Sequence, residues 1–166
     1  MSAVNIYKIL SFILLPIGAL LGLICLMGLL LAIGNPSILL PLSMLICTVI
    51  YIIVSFIFLQ KGLLKGLKCN TALKDWIKLN AYVSLFFASM SVVQFITLAF
   101  QPTLLQQFID QSMAMQKNMP PDAAAIMPKI LKAVMYFFLT FGLILIAHIA
   151  LSLNFIKQYV ALFEEE

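Results

Sequence analysis

Four long apolar stretches, separated by short polar ones, make up most of this chain. Residues 9–33 run for about 25 positions without a charge, and at about 1.5 Å per helical residue that exceeds the ~30 Å hydrocarbon core of a bilayer. The Gly-Asn-Pro-Ser stretch at 34–37 is a turn, because Gly ends a helix and Pro opens the next one. Residues 38–60 form a second span, with Pro41 in its first turn, where the missing N–H matters little. The first two spans are therefore expected to make a tight hairpin. A third span covers 77–100 and ends near Pro102. Asn70 or Thr71 is placed to cap it, and Trp76 and Tyr82 lie near its start, where amphipathic rings favour the headgroup zone. A fourth covers 129–155.

The segment between the third and fourth spans, 103–127, has a different pattern. Leu104, Leu105, Phe108 and Ile109 share one side of a helical wheel, with Gln106, Gln107, Asp110 and Gln111 largely on the other. This spacing predicts an amphipathic helix over 103–117 lying at the outer interface. Residues 118–121 should break it, Asp122 should cap a short helix, and Pro128 suits the first turn of the last span. The fold class expected is an all-α integral membrane protein. It has four transmembrane helices in an antiparallel bundle, one domain, and an amphipathic helical segment between helices 3 and 4.

Charge sets the orientation. The stretch 61–78 carries five of the ten lysines and one acid, Asp75, and short Lys-rich connectors stay on the cytoplasmic side. With the basic connector 61–76 inside, Lys8 and Lys157 join it, while Lys117, Lys129 and Lys132 fall outside. The last two can snorkel to the headgroups. Both termini are then cytoplasmic, and a bacterial cytoplasmic (inner) membrane is the expected location. Ala32-Ile33-Gly34 has the small-residue spacing of a cleavage site, but the preceding run is much longer than a signal h-region, so it reads as a retained helix.

Composition agrees. The chain is 64% apolar and 10% charged, where soluble proteins average about 45–50% and 25%. Its net charge of +4 does not indicate nucleic acid, since every basic residue is Lys and none offers the guanidinium fork that reads guanine or phosphate. The partner expected first is the lipid bilayer. Cys25, Cys47 and Cys69 form no CxxC and no metal-spaced cluster, and they read as small packing residues. If the first hairpin turns at 34–37, Cys25 and Cys47 lie at nearly equal depth.

Helices in lipid associate through close packing at small residues. In the first span Ser11, Gly18, Cys25 and Ala32 recur every seven positions, and Gly18 and Gly22 form a GxxxG. In the third, Ala81, Ser84, Ala88 and Ser91 recur at three and four, and in the fourth Thr140, Ala147 and Asn154 recur at seven. These are the expected contact seams.

Candidate chemistry is sparse. His148, the single histidine, sits inside the fourth span, and intramembrane ionisable groups are functional candidates with a partner to be named. Tyr51 and Ser84 are the partners expected at its depth, with Ser55 close by. Gln94, with Thr97, lies further out in the third span as interhelical glue or a solute contact. Met113, Met115, Met119 and Met127 have thioethers at spacings that suit Cu(I), but no His or Cys strengthens the set. No GxSxG, HExxH or phosphate-binding loop occurs, and neither a catalytic role nor a bound cofactor is expected. The glutamates at 164–166 read as a solvated end. Two function classes follow. One is a non-catalytic accessory or scaffold subunit, acting through helix contacts with another membrane protein or with a second copy. The other is a small-solute or ion transporter or channel with a polar path joining Gln94 to His148 and Ser84.

Overall fold

The computed structural model describes residues 2–114 and 121–163, the side chains of 121–125 excepted. The described residues are helical and contain no strand. Helix α1, Ala3–Ala32, starts well before the uncharged run, because Ser2 caps it by accepting the Asn5 N–H. Its buried stripe is Tyr7, Ser11, Leu14, Gly18, Leu21, Cys25 and Ala32. Steps of four and three alternate along most of that stripe, giving a mean period of 3.5 residues. The small residues at sevens in the first span are part of it.

Asn35 shapes the turn after α1, accepting from the Ser37 N–H at 3.3 Å and its hydroxyl at 2.6 Å. A short 3-10 turn, Pro36–Ile38, leads into α2, Leu39–Phe58. A Cβ placed on Gly18 would sit 3.0 Å from Ile52 Cγ2, one on Gly22 3.6 Å from Val49, and one on Gly28 2.8 Å from Leu42. The rings of Phe12 and Phe56 meet edge to face at 5.5 Å. As residue numbers rise on α1 they fall on α2, so the two helices form a hairpin. That register puts Cys25 opposite residues 45 and 46, in a cluster with Ala32 and Leu42. All three cysteines are free thiols.

α2 continues as one π-helical turn, Leu59–Leu63, which carries the helical path past Gln60 and Lys61. Gly66, at φ 63°, closes that end in the left-handed conformation that glycine tolerates. Asn70 then caps α3, Thr71–Phe100, its Oδ1 accepting the Ala72 N–H at 2.9 Å. The helix thus begins ahead of the expected span start at 77. α4 is Pro102–Ala114 and α5 is Pro121–Gln158, followed by a 3-10 turn, Val160–Phe163.

α5 departs from the expected layout. Residues 121–127 are not a separate short helix of the amphipathic segment but the start of the last helix, with Pro128 inside it. Pro128 lies seven residues beyond Pro121, past the first turn, where proline removes one backbone hydrogen bond and crowds the carbonyl four residues earlier. Of the expected break at 118–121, residues 118–120 lie outside the described residues, as does the tail at 164–166, while Pro121 is already the first residue of α5. The fourth seam also differs, since Thr140, Ala147 and Asn154 are exposed. The Thr140 hydroxyl donates to Tyr136 C=O of its own helix at 2.9 Å and so needs no partner helix. The buried side of α5 is larger and includes Phe141, Leu145, His148, Ile149, Ser152 and Phe155.

The chain divides into two compact units, one of Met1–Phe87 with Ile144–Glu166 and the other of Ala88–Leu143. In the first, the Cys69 N–H donates to Leu162 C=O at 2.7 Å, and Phe58 stacks on Phe163 at 5.3 Å. These two contacts tie the basic connector and the end of α2 to the C-terminal turn. In the second, a Cβ on Gly142 would meet Val92 at 2.7 Å, and Phe95 stacks on Phe138 at 6.3 Å. On α4, Ile109 is buried, while Leu104 and Phe108 stay exposed. Among the described residues, four helical stretches are long and apolar enough to cross a membrane: Ala3–Ala32, Pro36–Leu63, Thr71–Phe100 and Ile126–Gln158.

Candidate functional site

A spacing of four residues puts two side chains on one helical face, one turn apart. Three helices of the first unit each present such a pair: Tyr7 and Ser11 on α1, Tyr51 and Ser55 on α2, His148 and Ser152 on α5. All six converge on one buried cluster, and none is more than 2% exposed.

His148 lies at its centre. Its Nδ1 is 2.7 Å from the Tyr51 hydroxyl and its Nε2 is 2.8 Å from Ser11 Oγ. The Ser11 hydroxyl donates to Tyr7 C=O at 2.8 Å, so its oxygen is left to accept. The network therefore assigns the ring proton to Nε2, and Nδ1 accepts from the Tyr51 O–H. The Tyr7 ring stacks on the imidazole at 4.5 Å with an interplanar angle of 14°, and Tyr51 meets it edge-on at 5.6 Å. The Tyr7 hydroxyl is shared between Ser152 Oγ at 3.2 Å and Ser55 C=O at 3.3 Å. Ser55 Oγ donates to Ile52 C=O at 3.0 Å.

Each polar atom of the ring thus has a partner, and the partners are neutral. The arrangement holds an uncharged imidazole in one tautomer between three helices. A proton added at Nδ1 would reverse the Tyr51 bond and place a charge among aromatic rings and hydroxyls with no carboxylate in the network.

Of the residues singled out in the sequence around His148, Tyr51 and Ser55 share its cluster, and Tyr51 bonds the ring directly. The second ring nitrogen goes to Ser11 and not to Ser84, whose Oγ is buried with no hydrogen-bond partner. Gln94 is exposed in the second unit, as is Thr97, whose hydroxyl donates to Val93 C=O at 2.9 Å. Tyr7, Ser11 and Ser152 are the members that depth-matching around His148 alone does not find. The signal for them is the repeated pair of polar residues at i and i+4. Among the described residues no group of three His, Cys, Asp or Glu is placed to hold a metal. Met115 and Met119 of the methionine set lie outside the described residues.

Two hollows lie apart from this cluster. One, of about 500 Å³, is lined by Asn5, Lys8, Ile9, Phe12 and Ile13. The other, of about 320 Å³, is lined by Leu85 of α3 and by α5 from Ile146 to Lys157.

Four helices of this length and apolarity fit an integral membrane protein. No known protein family matches the chain, and neither a curated protein nor a solved structure is detectably similar to it.

Proposed function

We propose that the chain is a small polytopic protein of the bacterial cytoplasmic membrane. Its four crossings are antiparallel, both termini are cytoplasmic, and α4 lies along the outer interface. It serves as a non-catalytic accessory or scaffold subunit, acting through helix–helix contacts with another membrane protein or a second copy.

The observation that carries this reading is the sealed cluster around His148. A transport path needs polar groups that face a shared opening. Here Tyr7, Ser11, Tyr51, Ser55, His148 and Ser152 partner one another at 2% exposure or less, and Gln94 and Thr97 are exposed. A buried, mutually satisfied network fixes one packing of three helices. The exposed Ala147, away from the residues that α5 buries within the chain, leaves room for a further helix to approach closely.

The test is purification of the full chain in a mild detergent, with mass spectrometry of whatever travels with it. A stoichiometric membrane partner or a dimer, lost in Ala147→Phe with unchanged thermal stability, is the expected result. Solute or ion flux in proteoliposomes that is lost in a normally stable His148→Ala protein would replace this reading with a transporter.

A further inference from the structure

The hollow between α3 and α5 has a polar end and an apolar length. Ile146, Ile149, Ala150 and Leu153 line it from α5 and Leu85 from α3, while Asn154 and Lys157 stand at one end. From Ile146 to Lys157 is eleven residues, or about 16 Å of helix. That is about half of the ~30 Å hydrocarbon thickness, the depth of one leaflet. Ala150, small and exposed, leaves the floor open. Lys157 and Asn154 are both exposed and carry donors to the end where α5 stops.

We infer that this groove binds one phospholipid with an acidic headgroup, resting on the membrane reading above. An acyl chain lies along Ile146, Ile149, Ala150 and Leu153. The headgroup phosphate sits at Lys157, with Asn154 donating a second hydrogen bond. Charge complementarity selects the occupant: an apolar groove alone takes any lipid, whereas a Lys ammonium and an amide at its end favour net negative charge. Among the described residues, no acid lines the hollow to neutralise the lysine.

Native mass spectrometry of the full chain tests this. The protein is purified in mild detergent and offered equal amounts of phosphatidylglycerol and phosphatidylethanolamine. The expected result is one retained phosphatidylglycerol per chain, in preference to the zwitterionic lipid. Lys157→Gln should weaken that adduct about fivefold, the worth of one lysine at an acidic lipid surface. Ala150→Phe, which fills the floor and keeps the charge, should also weaken it. Lys65→Gln, which removes an equal charge from the connector, should leave it unchanged.

Equal retention of the two lipids would overturn the inference. So would an equal loss in Lys65→Gln, because binding would then follow overall charge. A lipid-free dimer that Ala150→Phe dissociates would mean that a second copy fills the groove, and would overturn it too. Extraction of the chain without detergent would instead remove the membrane reading itself.

Discussion

Tyr51→Phe removes one oxygen and leaves an aromatic ring beside His148. In the native cluster that oxygen supplies the hydrogen bond to Nδ1 at 2.7 Å. Its loss strands an acceptor at a residue only 1% exposed, where water cannot substitute. The imidazole cannot escape by changing tautomer. With the proton on Nδ1, that N–H would face the Phe ring, and Ser11 could turn its hydroxyl to Nε2 only by releasing Tyr7 C=O. Stranding a buried polar group costs about 1–3 kcal/mol in soluble proteins. Between membrane helices single bonds average about 0.6 and reach about 1.7 kcal/mol, because separated helices still find partners. A dry site at full burial belongs in the upper part of that membrane range, about 1–1.7 kcal/mol. For a chain of this length that lowers Tm by about 2–7 °C. The assay is thermal unfolding in detergent, run as a double-mutant cycle with His148→Phe. Once the imidazole is gone, Tyr51→Phe should cost less than about 0.5 kcal/mol, since the bond to Nδ1 is already absent and only the neighbouring Ser55 and Ser152 hydroxyls remain. An equal loss in both backgrounds, or no loss in either, would refute the assigned bond.

The two glycines of the GxxxG should behave differently. Gly18→Ala drives a Cβ to 3.0 Å from the branched, buried Ile52, and should cost about 1–3 kcal/mol. Gly22→Ala makes an ordinary 3.6 Å contact with Val49 and should be neutral or stabilise by about 0.5–1 kcal/mol, both read by thermal unfolding. Burial pushes the Cys69 thiol above its ordinary pKa, with the nearby Lys61 charge only partly opposing it. The reactive thiolate is therefore scarce near neutral pH, and maleimide labelling of Cys69 in a Cys25→Ala/Cys47→Ala chain should be slow and speed up as pH rises. Cutting the chain after Tyr159 removes Leu162 and Phe163 from the connector, and should accelerate the labelling severalfold at constant pH.

Helix existence was legible because charge-free runs of this length leave the chain one economical option in lipid. Helix ends were less so. Asn70 extends α3 back to Thr71 through a cap, and a π turn draws Lys61 into the second helix. Both are backbone hydrogen-bond effects that hydropathy does not register. The α1 seam could be read because its small residues fall on the same 3.5-residue period as Tyr7, Leu14 and Leu21. The α5 seam misled because a hydroxyl such as that of Thr140 can satisfy itself on its own helix, and spacing cannot reveal that. At the site, depth matching found Tyr51 for His148. It missed Tyr7, which sits before the uncharged run, although its ring is the one stacked on the imidazole.

The most direct test of the whole account is topological. Protease-cleavable tags on both termini, assayed in sealed right-side-out and inverted vesicles, ask whether the chain spans the membrane an even number of times, and an alkaline carbonate wash of a separate sample asks whether it is integral. The account predicts that the protein stays with the membrane and that both tags are cleaved only in inverted vesicles. Release into the wash, or cleavage of the two tags from opposite faces, would contradict it.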